Sequence, residues 1–117
     1  MFYPPNKDEY FERVWELARA VPEGHAVSYG QIAKAIPAPP EVMPDDYKMF
    51  RARWVGRAMN GCPDDVPWWR VMNSQGKISL PAGSAAADKQ RRHLEMEGVE
   101  FDKRQRVDFK IYGHDFE

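Results

Sequence analysis

Few residues of this chain can do chemistry, and their spacing narrows what that chemistry is. Cys62 is the one cysteine. A thiol becomes a nucleophile when a neighbouring base or cation lowers its pKa. No histidine or lysine stands beside Cys62 in sequence. The histidines His25, His93 and His114 are isolated, and no His, Cys or carboxylate group has metal-ligand spacing. Two other segments are unusual. Pro67-Trp68-Trp69-Arg70-Val71 sets adjacent tryptophans after a proline and outside any helical pattern. In an extended segment such neighbours point to opposite sides. Either both are core anchors, or one packs inward and the other walls a cavity. The second is Ala52-Arg53, followed by Gly56-Arg57, in a helical stretch. A mid-helix glycine costs about 1 kcal/mol relative to alanine. It serves either close packing of two helices inside the domain or close approach of the helix backbone to a DNA groove.

The elements that position these residues follow from periodicity. Tyr10, Phe11, Val14, Trp15, Ala18 and Val21 recur at helical spacing and predict a first helix over about Lys7–Ala20, with Asn6 and Glu9 as a capping pair and Pro22 and Gly24 as its end. Ser28 opens a second helix as a capping box with Gln31, and Ile32, Ala35 and Ile36 form its stripe until Pro37. Residues 37–44 hold four prolines and predict a stiff loop. A third helix is expected from Asp45 or Asp46 to Asn60, closed by Gly61 and Pro63. At 100° per residue, Tyr47, Phe50, Trp54, Val55 and Ala58 share one side. Ala52, Arg53, Gly56, Arg57 and Asn60 share the other. Arg51 falls among the apolar set, which the pattern does not explain. Asn73–Gly76 reads as a turn between Val71-Met72 and Lys77-Ile78. A last helix runs from Ser84 or Asp88 to Glu97, stopped by Gly98. Val107, Phe109 and Ile111 alternate and predict a short closing strand. Two helices, the second bearing arginines on a small-residue face, fit a helix-turn-helix.

Composition bounds the rest. The 117 residues, 43% of them apolar, make one domain over 1–117 with a core that needs no disulfide or metal. A single cysteine fits a reducing compartment. No apolar run approaches the roughly 18 residues of a membrane span, and Met1–Pro5 lacks a signal-peptide pattern. Net charge is −1, yet residues 48–77 carry six Lys and Arg against two Asp, a local +4 that leaves −5 elsewhere. Local charge steers a polyanion more than the total does; equally, such residues can simply solvate a helix.

In combination the motifs resemble a known family, the O6-alkylguanine-DNA alkyltransferases. Gly24-His25-Ala26-Val27-Ser28-Tyr29-Gly30-Gln31-Ile32-Ala33 is similar to their G-x-V-x-S/T-Y-x-x-[IL]-A segment. Arg53-Trp54-Val55-Gly56-Arg57-Ala58-Met59 is similar to their recognition helix, R-x-V-G-x-A-M. Pro67-Trp68-Trp69-Arg70-Val71 stands where they carry P-C-H-R-V, and Leu94–Gly98 matches the end of their last helix. The resemblance spans residues 24–98 in the right order. The departures set the function it implies. The alkyl-acceptor cysteine is Trp68, and an indole cannot accept an alkyl group as a thiolate does. The assisting histidine is Trp69, so that base is gone too. Tryptophan at the cysteine position marks the alkyltransferase-like proteins, many of which keep the histidine. The 37–44 segment looks like an insertion, and Cys62 replaces the family's asparagine.

The resemblance implies a mainly α fold with a minor β part, a small winged-helix-like helix-turn-helix domain as in the C-terminal domain of DNA alkyltransferases. It implies a non-enzymatic sensor that flips O6-alkylguanine out of duplex DNA and hands the lesion to nucleotide excision repair. Tyr29 would rotate the target nucleotide, and Arg53 would fill the vacated space. Ala52 and Gly56 would let the helix into the minor groove, with Arg57 and Asn60 on the same DNA face. Tyr29, Trp68, Arg70, Val71 and Glu97 would make the lesion pocket with the 73–84 loop, Arg70 and Glu97 holding its architecture. Partners would be lesion-bearing duplex and excision-repair damage-recognition proteins. The protein would be a monomer without cofactor or membrane, in the bacterial cytoplasm at the nucleoid or in a eukaryotic nucleus. For single residues the plainer alternatives are Tyr29 packing on Trp15, Arg53 as a solvated cation and Trp69 as core. For the whole chain they are an active methyltransferase using Cys62, a sequence-specific helix-turn-helix regulator, or a protein-interaction module.

Overall fold

The protein, described by a computed structural model over residues 3–116, is built of five helices and one short parallel strand pair. Met1, Phe2 and Glu117, at the ends of the expected 1–117 domain, lie outside the described residues. Helix α1 spans Lys7–Ala20, β1 Val27–Ser28, α2 Tyr29–Lys34 and α3 Pro44–Asn60. A 3-10 turn at Trp68–Arg70 leads into β2, Val71–Met72, followed by α4, Ala85–Met96, and α5, Phe109–Tyr112. None of these helices is long and apolar enough to cross a membrane.

Helix α1 keeps the predicted bounds, but its start differs in detail. Asn6 makes no side-chain cap bond and instead donates to the Glu9 carboxylate. Its buried face is Tyr10, Val14, Leu17 and Ala18. Ser28 caps α2 by accepting from the Gln31 N–H at 3.0 Å. The reciprocal half of the box is not made, because the Gln31 amide donates to the His114 carbonyl. Helix α3 begins at Pro44, earlier than expected, since proline at the first helical position lacks only an N–H the helix leaves unpaired. Tyr47 on α3 stitches it to α2. Its hydroxyl lies within hydrogen-bond reach of the carbonyls of Ala33 (3.1 Å) and Ile36 (2.8 Å) at the end of α2 and donates toward them. Arg51 now has an account: its guanidinium lies over the Tyr47 ring, 5.8 Å from the centroid.

Two apolar clusters meet at the strand pair. Val14, Ile32, Trp54, Val55, Val66 and their neighbours fill the space between α1, α2 and α3. Leu94, Val99 and Val107 form the second cluster under α4. The ladder pairs Val27 with Val71 and Ser28 with Met72. Side chains alternate across it, so Val27 and Val71 enter the first cluster while Ala26 and Met72 enter the second. The strand partner of Val71-Met72 is therefore the start of the helix-turn-helix. Lys77 closes the turn with Asn73 instead: the Asn73 N–H donates to the Lys77 carbonyl at 3.2 Å, and the Lys77 N–H donates to Asn73 Oδ1 at 3.0 Å.

Two local expectations are corrected. The alternation of Val107, Phe109 and Ile111 is not a strand. Asp108 accepts from the Lys110 N–H at 2.9 Å and caps the single helical turn α5, leaving Ile111 exposed. Trp68-Trp69 is not extended but wound into a 3-10 turn, with Arg70 N–H donating to the Pro67 carbonyl at 3.1 Å.

Candidate nucleic-acid interface and lesion site

The outer face of α3 is bare. Ala52, Arg53, Arg57 and Asn60 are exposed, opposite the buried Tyr47, Trp54, Val55 and Ala58. Among the described residues, a Cβ placed on Gly56 would meet nothing within 4 Å. Internal packing therefore does not require this glycine, which removes one of its two readings. No hydrogen bond or ion pair holds Arg53 among the described residues. Arg57 lies over the Tyr3 ring at 5.0 Å, which ties its base to the N-terminal segment.

The second part of the site is organised by one carboxylate. Glu97, the residue that closes α4, accepts from three directions. Trp69 Nε1–H donates to Oε2 at 2.8 Å. Arg70 donates from Nη2 at 2.7 Å and from Nε at 3.0 Å. The Gly24 N–H donates at 3.0 Å. Burial would push the Glu97 carboxyl up, but the bonds from Arg70, Gly24 and Trp69 outweigh it and hold it below the ordinary carboxylate value. Arg70 also donates to the Val21 carbonyl at 2.9 Å, so one ion pair clamps the end of α1, the Gly24 turn and α4 together. Gly24 has φ +82°, and a Cβ there would press to 3.3 Å of the Glu97 carbonyl oxygen, so glycine is required. Arg70, counted among the cations of residues 48–77, is thus withdrawn from the surface, its side chain 14% exposed.

The aromatic floor rests on this clamp. Trp69 stacks on His93 at 4.2 Å and 15° between planes. Trp68 meets both edge-on, 6.1 Å from Trp69 and 6.4 Å from His93. Trp69 is half-buried and packs against the second cluster. Gln90, 3% exposed, donates to the carbonyls of Trp69 and Val71, both at 3.1 Å, and fixes the backbone of the motif from α4. Gln90 and His93 escaped the sequence reading, and His93 is not isolated as expected. The available signal was the spacing of Gln90, His93 and Glu97, which shares one face of a helix.

The remaining expected site residues are placed as follows. Tyr29 opens α2, half-buried, with its hydroxyl 3.0 Å from Ser79 Oγ in the 73–84 loop. Trp15, the expected alternative partner of Tyr29, donates to the Ala58 carbonyl of α3 at 2.9 Å. The Val71 side chain is 1% exposed and belongs to the core, so Val71 shapes the site through its backbone rather than as an open wall. Cys62 is half-buried. Burial pushes its thiol up, and Asp64 and Asp65 add to this, so the thiol stays protonated and weakly nucleophilic. Two open cavities of about 430 and 420 Å³ lie along α4 and between α4 and the 77–82 segment; neither has Tyr29 or Trp68 in its wall.

Residues 9–99 match the family of the 6-O-methylguanine DNA methyltransferase DNA-binding domain. The chain belongs to this family. It is 34% identical over 106 residues to Alkyltransferase-like protein 1 of Schizosaccharomyces pombe, covering 89% of each chain. It is 33% identical over 107 residues to the DNA base-flipping protein of Vibrio parahaemolyticus, covering 90% of this chain and 95% of that one. Its fold superposes on the crystal structure of the S. pombe protein in complex with damaged DNA containing O6-carboxymethylguanine, with a TM-score of 0.72, 31% identity and 93% of this chain covered. The fold is thus the alkyltransferase DNA-binding domain, and the chain stands in its alkyltransferase-like branch. Trp68 at the acceptor position means that this member does not take up an alkyl group there. Trp69, in place of the histidine, keeps one property of an imidazole, a ring N–H, and uses it on Glu97.

Proposed function

We propose that this alkyltransferase-like protein is a non-enzymatic receptor for O6-alkylguanine in duplex DNA. The observation that carries the reading is the open face of α3, where the fold tolerates a side chain at Gly56 but the sequence supplies none, beside an unpaired Arg53. A backbone without bulk reaches into a groove, and a planar guanidinium stacks and donates to an orphaned base. The damaged nucleotide leaves the stack at a cost of a few kcal/mol. Tyr29 presses on the backbone beside it, and Trp68, braced by Trp69 and His93, offers an aromatic face to the extruded base. No bond forms to the protein, and neither metal nor cofactor is needed. The relatives named for base flipping and the lesion-bearing complex of the S. pombe protein support this reading.

The complex is proposed to be one monomer per lesion, in whichever compartment holds the genome. The bound, distorted site then passes to nucleotide excision repair, because stable binding alone would only shield the lesion. Native mass spectrometry of the protein with an O6-methylguanine duplex tests the receptor reading. The expected result is a one-to-one non-covalent complex from which both protein and methylated strand emerge with unchanged mass. A methyl group found on Cys62 or any other residue would overturn it.

A further inference from the structure

The DNA face of α3 carries one residue that the family motif does not include. At 100° per residue, Met49 lies in the middle of the stripe formed by Arg53, Gly56 and Asn60. It is 70% exposed and belongs to neither apolar cluster. The fold therefore gains nothing from an apolar residue there, and α3 buries the opposite face through Tyr47, Trp54, Val55 and Ala58. The stripe has a polarity. Asp45 and Asp46 occupy its first turn, Met49 the next, and Arg53 and Arg57 the turns beyond. Acidic residues are repelled by phosphates, so a duplex lying along this face meets α3 from Met49 onward.

We infer that Met49 is an apolar wedge, seated in the minor groove within about two base steps of the one that Arg53 occupies. The inference rests on the proposed lesion-receptor function. One helical turn separates the two side chains, about 6 Å along the axis, against about 3.4 Å per base step along a strand. Met49 thus reaches at most about two steps along the groove while Arg53 fills the gap. Sugars and base edges offer the apolar surface that its thioether chain can cover, and methionine is among the side chains that unstack and bend duplexes from the minor groove. An apolar wedge at this place keeps the duplex bent and open beside the step that Arg53 fills. It adds lesion affinity without reading sequence.

The experiment compares wild type, Met49→Gln, Met49→Leu and Arg53→Ala on one duplex with and without O6-methylguanine, reading affinity and the bend angle by end-to-end fluorescence transfer. Met49→Gln is expected to lose about tenfold in lesion affinity, the scale of one lost apolar contact. It is also expected to bend the duplex less and to keep its melting temperature. Met49→Leu is expected to retain both affinity and bend. Wild-type affinity and bend in Met49→Gln, with Arg53→Ala impaired, overturns the wedge and leaves the receptor reading standing. A wild-type protein without lesion preference overturns both.

Discussion

Glu97 and Trp68 carry the residue-scale account. Glu97 is buried among donors, and its carboxyl titrates below the ordinary carboxylate value. A group whose pKa is lowered by folding contributes stability above its unfolded value of about 4.3, and that contribution is lost as pH falls through the lowered folded value. Acid unfolding of the wild type is therefore expected to set in below about pH 4. Glu97→Gln leaves Arg70 buried without its counter-charge, and is expected to cost about 3 kcal/mol at pH 7 while losing less stability through that acid window. Denaturant titrations at several pH values check this, and parallel pH profiles for the two proteins would remove Glu97 from its central place. Trp68→Cys returns a thiol but no base, because Trp69 donates to Glu97 and cannot accept a proton. With a pKa near 8.5 only a few per cent of such a thiol is thiolate at neutral pH. Intact mass after incubation with methylated duplex is expected to show no methyl transfer, and transfer at a useful rate would mean the site activates the thiol by other means.

Helix α3 gives the sharpest separation of fold from function. Gly56→Ala adds a methyl that meets nothing among the described residues and removes a glycine from a helix interior. It is expected to raise stability by up to about 1 kcal/mol and to weaken duplex binding, measured by thermal melts beside binding titrations. A stabilised variant with unchanged binding would mean that the groove does not need this close approach. The same element shows what sequence makes legible. The boundaries of α1 and the faces of α3 follow from apolar spacing and from Gly and Pro punctuation, which are local signals. Leu17 joins the buried face of α1 beside the residues the pattern picked out. The parallel pairing of Val27 with Val71 is a tertiary event between distant segments, and no local pattern announces it. Helix α5 was hidden for a different reason. A side-chain cap at Asp108 outweighs an alternation that served no sheet, since Ile111 ends up in solvent. In the candidate site, Trp68, Arg70 and Glu97 could be picked out through the family motif, whereas Gln90 and His93 act through packing and backbone bonds that only three dimensions bring together.

On the scale of the whole molecule, the strand pair joins a three-helix body bearing the α3 face to an α4 body bearing the Glu97 clamp. In the proposed receptor one body enters the groove and the other braces the aromatic floor. The proposed handover to excision repair, with the acidic remainder of the chain as the proposed partner surface, has a genetic consequence. Deleting this protein in cells that already lack excision repair is expected to add no sensitivity to an alkylating agent; full additivity of the two defects would place them in separate pathways. The central claim, that the α3 face and the Trp68 floor together recognise a lesion rather than a sequence, is tested most directly by equilibrium binding to one duplex with a single guanine either unmodified or O6-methylated, at fixed salt. The expected result is tighter binding to the methylated duplex by at least about tenfold, maintained when the flanking sequence is changed. Equal affinity for the two duplexes, or a preference that follows the flanking sequence instead of the methyl group, would contradict it.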